Sequence, residues 1–313
     1  MKKIGVLLLL FGCVHCITVN ERIITLEVEK DLIPEGIAID ADTKNIYLNS
    51  LMHSKILKCD LNGTNTTQVI GKNEHGYLPG FGMTIKGDTL FALGNGLESN
   101  TNRSILLLLN KRTGGLIDSY TIHDSTQTYL NDIAVSAKND LYITDSESNR
   151  IYTVEHSRNQ LELFIESDEI AHSNGIAISD DNKYLYLASH RNGIRVVDIK
   201  TKEIINTPNK TYAGIDGMKY YDNSLIGIVN ARKDPDKNGL YRYYLNNEKT
   251  AIRGMEKMVP MGTEFKIPTT FDIYNGHVYY IINSQLDNFN QKTHQIKDST
   301  KLESYKILRK KID

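Results

Sequence analysis

Short apolar segments separated by polar turns recur along the chain at regular intervals. Each unit opens with a turn residue, usually followed by glycine, and continues as an apolar strand, a polar turn and a second apolar strand. The six copies begin at Pro34, Gly80, Leu130, Ser173, Ile215 and Thr269, which are 42 to 54 residues apart. That spacing leaves room for four short strands in every unit.

The later strands of the units alternate between apolar and polar residues, as in residues 55–58 and 150–154. A period of two is typical of strands with one wetter face. No segment carries a convincing helical stripe, and the polar residues 287–300 are expected to form a loop or a short surface helix. The pattern therefore predicts an all-β fold, a six-bladed β-propeller of four-stranded antiparallel blades, because radial packing buries both faces of each blade. Residues 23–28 are expected to complete the last blade by pairing with residues 305–308.

The residue just before the first strand of each unit is the candidate for chemistry. In unit order these residues are Glu35, Phe81, Asn131, Asn174, Asp216 and Thr270. Rotational symmetry should bring all six to one point on the propeller axis. Two of them are carboxylates and two are amides, a set of oxygen donors that suits Ca²⁺ ahead of Mg²⁺ or another divalent cation. Each one alone is more readily explained as a turn residue than as a ligand, but turn chemistry does not explain why a glutamate should stand at the same phase of the repeat.

The same residues resemble a known family. Glu35-Gly36, Asn131-Asp132, Asp216-Gly217 and the stretch from Asn174-Gly175 to Ile178 look like the senescence marker protein/gluconolactonase family, whose relatives include the paraoxonases and diisopropylfluorophosphatase. The resemblance implies a propeller that hydrolyses lactones or organophosphates, with a central calcium held by Glu35, Asn131, Asn174 and Asp216. Two positions depart from the paraoxonases, which have a further Asn where Gly217 stands and a His-Gly where Phe81-Gly82 stands.

A catalytic assignment follows from these positions. Asp216 is expected to act both as metal ligand and as general base or nucleophile, and Asn131 to orient substrate oxygens. The loops between the second and third strands should return to the metal end, which makes His53 and His190 alternative general bases because imidazole titrates near neutrality. Solvated loop histidines are the competing interpretation of both.

Two functions from different classes stay open at this stage. The first is a Ca²⁺-dependent hydrolase of lactone or ester type that acts on a small-molecule substrate. The second is a non-catalytic propeller that binds a glycan, peptide or protein and holds a structural calcium. A strictosidine-synthase-like propeller is disfavoured, since that branch lacks the full metal set to which Glu35 and Asp216 belong.

Charge and the N-terminus limit the partners and the location. With 37 basic and 38 acidic residues the net charge is −1, so nucleic acid is not an expected partner. The sequence offers no evidence for an oligomer, so a monomer is expected. Lys2 and Lys3 precede apolar residues 4–14, which predicts a signal peptide over residues 1–16 and a single propeller over residues 17–313. The protein is thus expected to be exported to the periplasm or the medium. A lipobox ending at Cys13, with a lipid anchor, and simple cleavage after Cys16 both stay open, and no transmembrane span is expected in the mature chain.

Overall fold

The computed structural model describes residues 21–98, 102–122, 127–155, 160–231, 234–261 and 266–313. The expected signal peptide and Cys13 therefore lie outside the described residues. In the part that is described, no helix has the length and apolarity needed to cross a bilayer. Helical structure there consists of short 3₁₀ turns at Glu74–Gly76, Asp168–Ile170, Lys210–Tyr212, Pro235–Lys237, Leu286–Asn288 and Ser299–Lys301.

The strands follow one another in units that match the sequence repeats. In chain order they are β1 (Glu21–Thr25), β2 (Ile37–Asp40), β3 (Asn45–Asn49), β4 (Ile56–Asp60), β5 (Thr67–Ile70), β6 (Gly80–Lys86), β7 (Thr89–Asn95), β8 (Ser104–Asn110), β9 (Leu116–Ile122), β10 (Leu130–Val135), β11 (Leu141–Asp145), β12 (Arg150–Glu155) and β13 (Gln160–Glu166). They continue as β14 (Ser173–Ile178), β15 (Tyr184–Ser189), β16 (Gly193–Asp198), β17 (Ile215–Tyr221), β18 (Ser224–Val229), β19 (Gly239–Leu245), β20 (Ile252–Pro260), β21 (Phe271–Tyr274), β22 (His277–Ile281), β23 (Phe289–Asn290), β24 (Gln295–Ile296) and β25 (Lys306–Lys311).

Among the described residues, the strands pair into six antiparallel sheets that form the blades, and β23 and β24 form a separate two-stranded sheet. Blades 1 to 5 run β2–β5, β6–β9, β10–β13, β14–β16 and β17–β20, and blade 6 has the order β1-β25-β22-β21. The first strand of every blade contacts the first strand of the next, and β21 contacts β2, so the inner strands form a closed ring. The six-bladed propeller predicted from the repeats is confirmed.

The N-terminal strand closes the ring. Strand β1 pairs antiparallel with β25, with Ile23 opposite Leu308 and Ile24 opposite Ile307. Blade 6 is therefore built from both ends of the described chain, as the sequence predicts. Strand β1 thereby covers the outer edge of β25 and completes blade 6 as a four-stranded sheet.

One hydrophobic cluster fills each of the six interfaces between neighbouring blades. Between blades 4 and 5, for example, the buried Ala177 and Tyr186 belong to the same cluster as Met218 and Leu225. Alternate residues of a strand point to opposite faces, and both faces of a blade meet a neighbour. This is why the inner strands are apolar on both sides.

Blade 4 differs from the predicted four-stranded pattern. Its sheet has three strands, and the expected fourth is reduced to a single bridge between Val197 and Ile204. The Asn206 side chain takes over part of the missing pairing, because its amide accepts a hydrogen bond from the Val196 nitrogen and donates one to the Ile194 oxygen. Residues 287–300, expected to be a loop or surface helix, contain a small hairpin of β23 and β24 between two 3₁₀ turns.

A buried ion pair joins blades 1 and 2 at the end of the propeller where the first and second strands of each blade are connected. Lys111, just after β8, donates a 2.7 Å hydrogen bond to Asp40 at the end of β2, and both side chains are at most 2% exposed. Burial by itself raises the pKa of Asp40, but hydrogen bonds from Lys111, Thr43 and the Asp42 amide hold that pKa below its ordinary value.

Candidate functional site

A cavity of about 1330 Å³ opens on the propeller axis at the end where the inner strands begin. Its lining includes residues from all six blades. Glu35, Asn131, Asn174 and Asp216 all line it, and each is half-buried. The structure thus brings the four sequence-predicted metal ligands to one cavity. Phe81 and Thr270 complete the ring of equivalent positions, and Thr269 also lines the cavity.

A β-bulge places these side chains in four of the blades. In blade 3, Leu130 pairs with Asp145 and Ile133 with Ile143, so three steps on β10 oppose two on β11, with Asn131 in the bulge. The same shift occurs at Phe81, Asn174 and Asp216 in β6, β14 and β17. A bulge bends the strand and re-aims a side chain. The turn residue and glycine that recur in the sequence therefore indicate a bulge that recurs in these four blades.

Glu35 is positioned differently, because it precedes β2 instead of lying within it. Its backbone nitrogen and that of Gly36 donate to the Asn49 Oδ1, at 3.2 and 2.8 Å. The Asn49 Nδ2 in turn donates to the Phe81 carbonyl oxygen of the next blade. The Asn49 side chain therefore fixes the backbone that carries Glu35 against the ring.

Asp216 lies between two amide side chains. The Asn174 Nδ2 donates to its Oδ1 at 2.5 Å, and the Asn230 Nδ2 donates to its Oδ2 at 3.3 Å. The Asn230 Oδ1 is buried and has no hydrogen-bond partner among the residues that the structure describes. A buried acceptor without a donor is unfavourable unless a ligand, water or ion satisfies it. Asn230 follows β18, and the expectation that loops after a second strand return to this end was the one signal for it in the sequence.

Asn131 and Tyr129 form the opposite wall with Phe81. The Asn131 Nδ2 donates to the Ser146 hydroxyl at 3.3 Å, and the Tyr129 and Phe81 rings meet edge to face at 4.6 Å. Burial raises the pKa of Tyr129, and the negative charges of Glu35 and Glu147 raise that pKa further. The Tyr129 hydroxyl is therefore protonated at neutral pH and remains a hydrogen-bond donor. Sequence reasoning missed this residue.

The two candidate histidine bases occupy different places. His190 is exposed and lines the cavity, so it stays a candidate. His53 is not among the lining residues, and its Nε2 lies 3.0 Å from an Asp31 carboxylate oxygen. His172, which the sequence did not single out, also lines the cavity and has its Nδ1 2.9 Å from the Ser146 carbonyl oxygen.

The floor of the cavity is formed by Glu35, Asn131, Asn174 and Asp216. These side chains offer several oxygens but only two carboxylates. The described residues contain no group of three or more His, Cys, Asp and Glu side chains placed to hold a metal. A cation at this point would therefore depend on amide oxygens as well as on Glu35 and Asp216. Two carboxylates with amides fit Ca²⁺, and the orphaned Asn230 Oδ1 adds one more donor beside Asp216.

Substituting Gly175 tests how tightly the bulges support this floor. A methyl group there would lie 2.6 Å from both the Asp216 carbonyl oxygen and the Met218 nitrogen, and backbone atoms cannot rotate away. We expect Gly175→Ala to lower the free energy of unfolding by about 1–3 kcal/mol in urea denaturation, because the inner strands of blades 4 and 5 must separate.

Gly254→Ala is the matched control, since a methyl group at that edge-strand position would meet nothing within 4 Å. Its effect should stay within about 0.5 kcal/mol. Equal unfolding curves for both variants would show that the close approach at Gly175 is not needed.

These features define a six-bladed propeller with an axial, oxygen-lined cavity. The chain belongs to the SMP-30/gluconolactonase/LRE-like family, whose model matches residues 33–230. No curated protein matches the chain.

Solved structures share the fold at low sequence identity. A gluconolactonase from Xanthomonas campestris is 13% identical with a TM-score of 0.59, over 92% of this chain and 89% of that one. The PQQ-bound aldose sugar dehydrogenase from Streptomyces coelicolor is 13% identical with a TM-score of 0.62, over 93% and 98%. An inactive virginiamycin B lyase from Staphylococcus aureus with quinupristin is 14% identical with a TM-score of 0.60, over 94% and 100%. At these identities the likeness concerns the fold alone.

Proposed function

We propose that this protein is a Ca²⁺-dependent hydrolase that opens a lactone or related ester in its axial cavity. The observation that carries the proposal is the meeting of Glu35, Asn131, Asn174 and Asp216, from four blades, at one cavity. Family membership supports it, and a gluconolactonase is among the proteins with the same fold.

The four side chains, with Asn230, would hold the cation. Asn174 now donates its Nδ2 to Asp216, so turning this amide would present its Oδ1 to the same point instead. When bound, the cation supplies positive charge that polarises the substrate carbonyl and stabilises the developing oxyanion. The four residues lie on the rigid inner ring, which favours a preorganised site over one assembled from loops.

The chain's own groups supply the remaining chemistry. The Asp216 carboxylate accepts a proton from the water whose oxygen attacks the carbonyl carbon, and the ring C–O bond then breaks. The leaving alkoxide takes up a proton, and the product is a hydroxy acid. Asn131 orients the substrate through its Nδ2, and the protonated Tyr129 can donate a hydrogen bond within the cavity. His190 is the alternative base, because its imidazole lines the cavity.

Thermal melting tests the metal requirement. Protein dialysed against EDTA should gain stability when Ca²⁺ is added, because a ligand that binds only the folded state contributes about 2.7 kcal/mol at one hundred times its Kd. For a chain of this size we expect the Tm to rise by about 5 °C or more, with a smaller rise in Mg²⁺. Identical melting curves in EDTA and Ca²⁺ would contradict the calcium assignment.

Turnover separates the hydrolase from a binding module. The Ca²⁺-loaded protein is assayed on a panel of lactones, aryl esters and phosphotriesters, and lactone hydrolysis that stops in EDTA is the expected result. Calcium binding without turnover of any of these substrates would favour the non-catalytic propeller.

A further inference from the structure

The rim of the axial cavity carries unequal charge on its two sides. On the side of blades 4 and 5 the lining includes Arg191, Lys210 and Lys237. On the opposite side lie Phe81, Tyr129 and Leu286, which are neutral, whereas the floor between the two sides carries carboxylates. The cavity therefore has a negative floor and one positive wall.

Two of the basic residues are brought together by the truncation of blade 4. Arg191 lies in the turn between β15 and β16, and Lys210 in the segment that replaces the missing outer strand. The Asn209 nitrogen donates to the Asn192 oxygen at 3.1 Å, which joins the two segments directly. Gly193, at φ +74°, allows this approach, because a side chain there would collide with the Asn209 carbonyl oxygen.

These two cations are exposed and available to a ligand. Arg191 and Lys210 form no ion pair or side-chain hydrogen bond with any residue that the structure describes. Lys237 differs, since its Nζ lies 3.0 Å from the Asp234 carboxylate and its charge is largely compensated. Among the residues that the structure describes, Arg191 and Lys210 are therefore the pair that gives this wall its uncompensated positive charge.

We infer that the substrate carries an anionic group, a carboxylate or phosphate, remote from the carbonyl that is cleaved, and that Arg191 and Lys210 bind this group. The inference rests on the proposed hydrolysis and narrows its substrate class. The guanidinium of Arg191 can pair with either anion through two N–H groups, and Lys210 adds a second charge. The basic wall lies on one side of the cavity, so binding of the anion there fixes how the substrate is oriented relative to the floor.

Kinetics on two lactones that differ by one charge test the inference. The pair is δ-gluconolactone and its 6-phosphate, assayed with wild type and with the double variant Arg191→Gln/Lys210→Gln. We expect wild type to have a lower KM for the phosphorylated lactone than for the neutral one. The double variant should raise the KM for the phosphorylated lactone by about tenfold or more, with little change in kcat. The KM for the neutral lactone should change less than twofold. The preference of wild type should also weaken as salt is raised.

Arg112→Gln is the matched control, because it removes an exposed cation from the turn between β8 and β9 at the opposite end of the propeller. It should leave the ratio of the two KM values unchanged. Equal KM values for both lactones in wild type, or a preference that survives in the double variant, would overturn the inference and leave the hydrolase proposal intact.

Calorimetric binding of glucose 6-phosphate and glucose distinguishes failure of the anion site from failure of the hydrolase. Neither sugar contains a bond that the proposed reaction cleaves. We expect wild type to bind glucose 6-phosphate about tenfold more tightly than glucose, and the double variant to bind the two sugars equally. That result without lactone turnover would support the anion site while rejecting hydrolysis. Equal binding of the two sugars by wild type would reject the anion site.

Discussion

Asp216→Asn should reduce kcat/KM for lactone hydrolysis by about 10²–10³-fold or more. The substitution keeps the shape of the side chain but removes the negative charge that lies between Asn174 and Asn230. Loss of that charge removes the proposed base and also weakens cation binding, because amide oxygens alone compensate a divalent charge poorly. Initial rates at saturating Ca²⁺, with melting curves in Ca²⁺ and EDTA, measure both effects. The gain in Tm on adding Ca²⁺ should fall together with the rate.

Asp31→Asn is the control for this variant. Asp31 is an acid that pairs with His53, and neither residue lines the cavity. Its removal should leave both the rate and the Ca²⁺-dependent gain in Tm unchanged. Should Asp216→Asn retain the wild-type rate, the catalytic role assigned to Asp216 is wrong. If Asp31→Asn lost activity, the His53–Asp31 pair would have to be reconsidered as part of the site.

Lys111→Met should lower the free energy of unfolding by about 3–5 kcal/mol at pH 7, because it leaves the Asp40 carboxylate buried without its partner. Urea denaturation measures the change. In wild type the pKa of Asp40 is lower in the folded than in the unfolded state. The stability that Asp40 contributes to the folded protein is therefore fully present above the ordinary carboxyl pKa of 3.8. It is lost as the pH falls through the pKa of Asp40 in the folded state. The difference in the free energy of unfolding between wild type and Lys111→Met should accordingly become smaller in acid.

The double variant Asp40→Leu/Lys111→Met distinguishes a lost charge pair from lost packing. Removing both charges should recover much of the stability lost in Lys111→Met, since no unpaired charge remains buried. A loss below about 1 kcal/mol for Lys111→Met would show that water reaches Asp40 and that the pair contributes little.

The sequence allowed the propeller and the floor of the site to be predicted because both depend on a repeat. The inner strands of blades 2 to 5 have the same bulge, and Glu35 precedes the inner strand of blade 1. Glu35, Asn131, Asn174 and Asp216 therefore line one cavity as expected. Closure by the N-terminal strand was also predictable, since an edge strand of blade 6 would otherwise lack a partner.

Features outside the repeat could not be derived in this way. His53 and His190 both follow a second strand, yet only His190 lines the cavity, because the course of each loop depends on contacts specific to it. The reduced outer strand of blade 4 was missed because Asn206 satisfies backbone groups that a strand would have paired. The same truncation brings Lys210 to the rim, so that part of the basic wall could not be predicted, whereas Arg191 lies in a loop of the kind expected at this end.

The most direct test of the central claim is an anomalous difference map from crystals of the protein grown with Ca²⁺. We predict one strong peak at the floor of the cavity, with oxygens of Glu35, Asn131, Asn174 and Asp216 at about 2.3–2.6 Å. A cavity floor without a peak, in crystals whose solution contains saturating Ca²⁺, would contradict the claim.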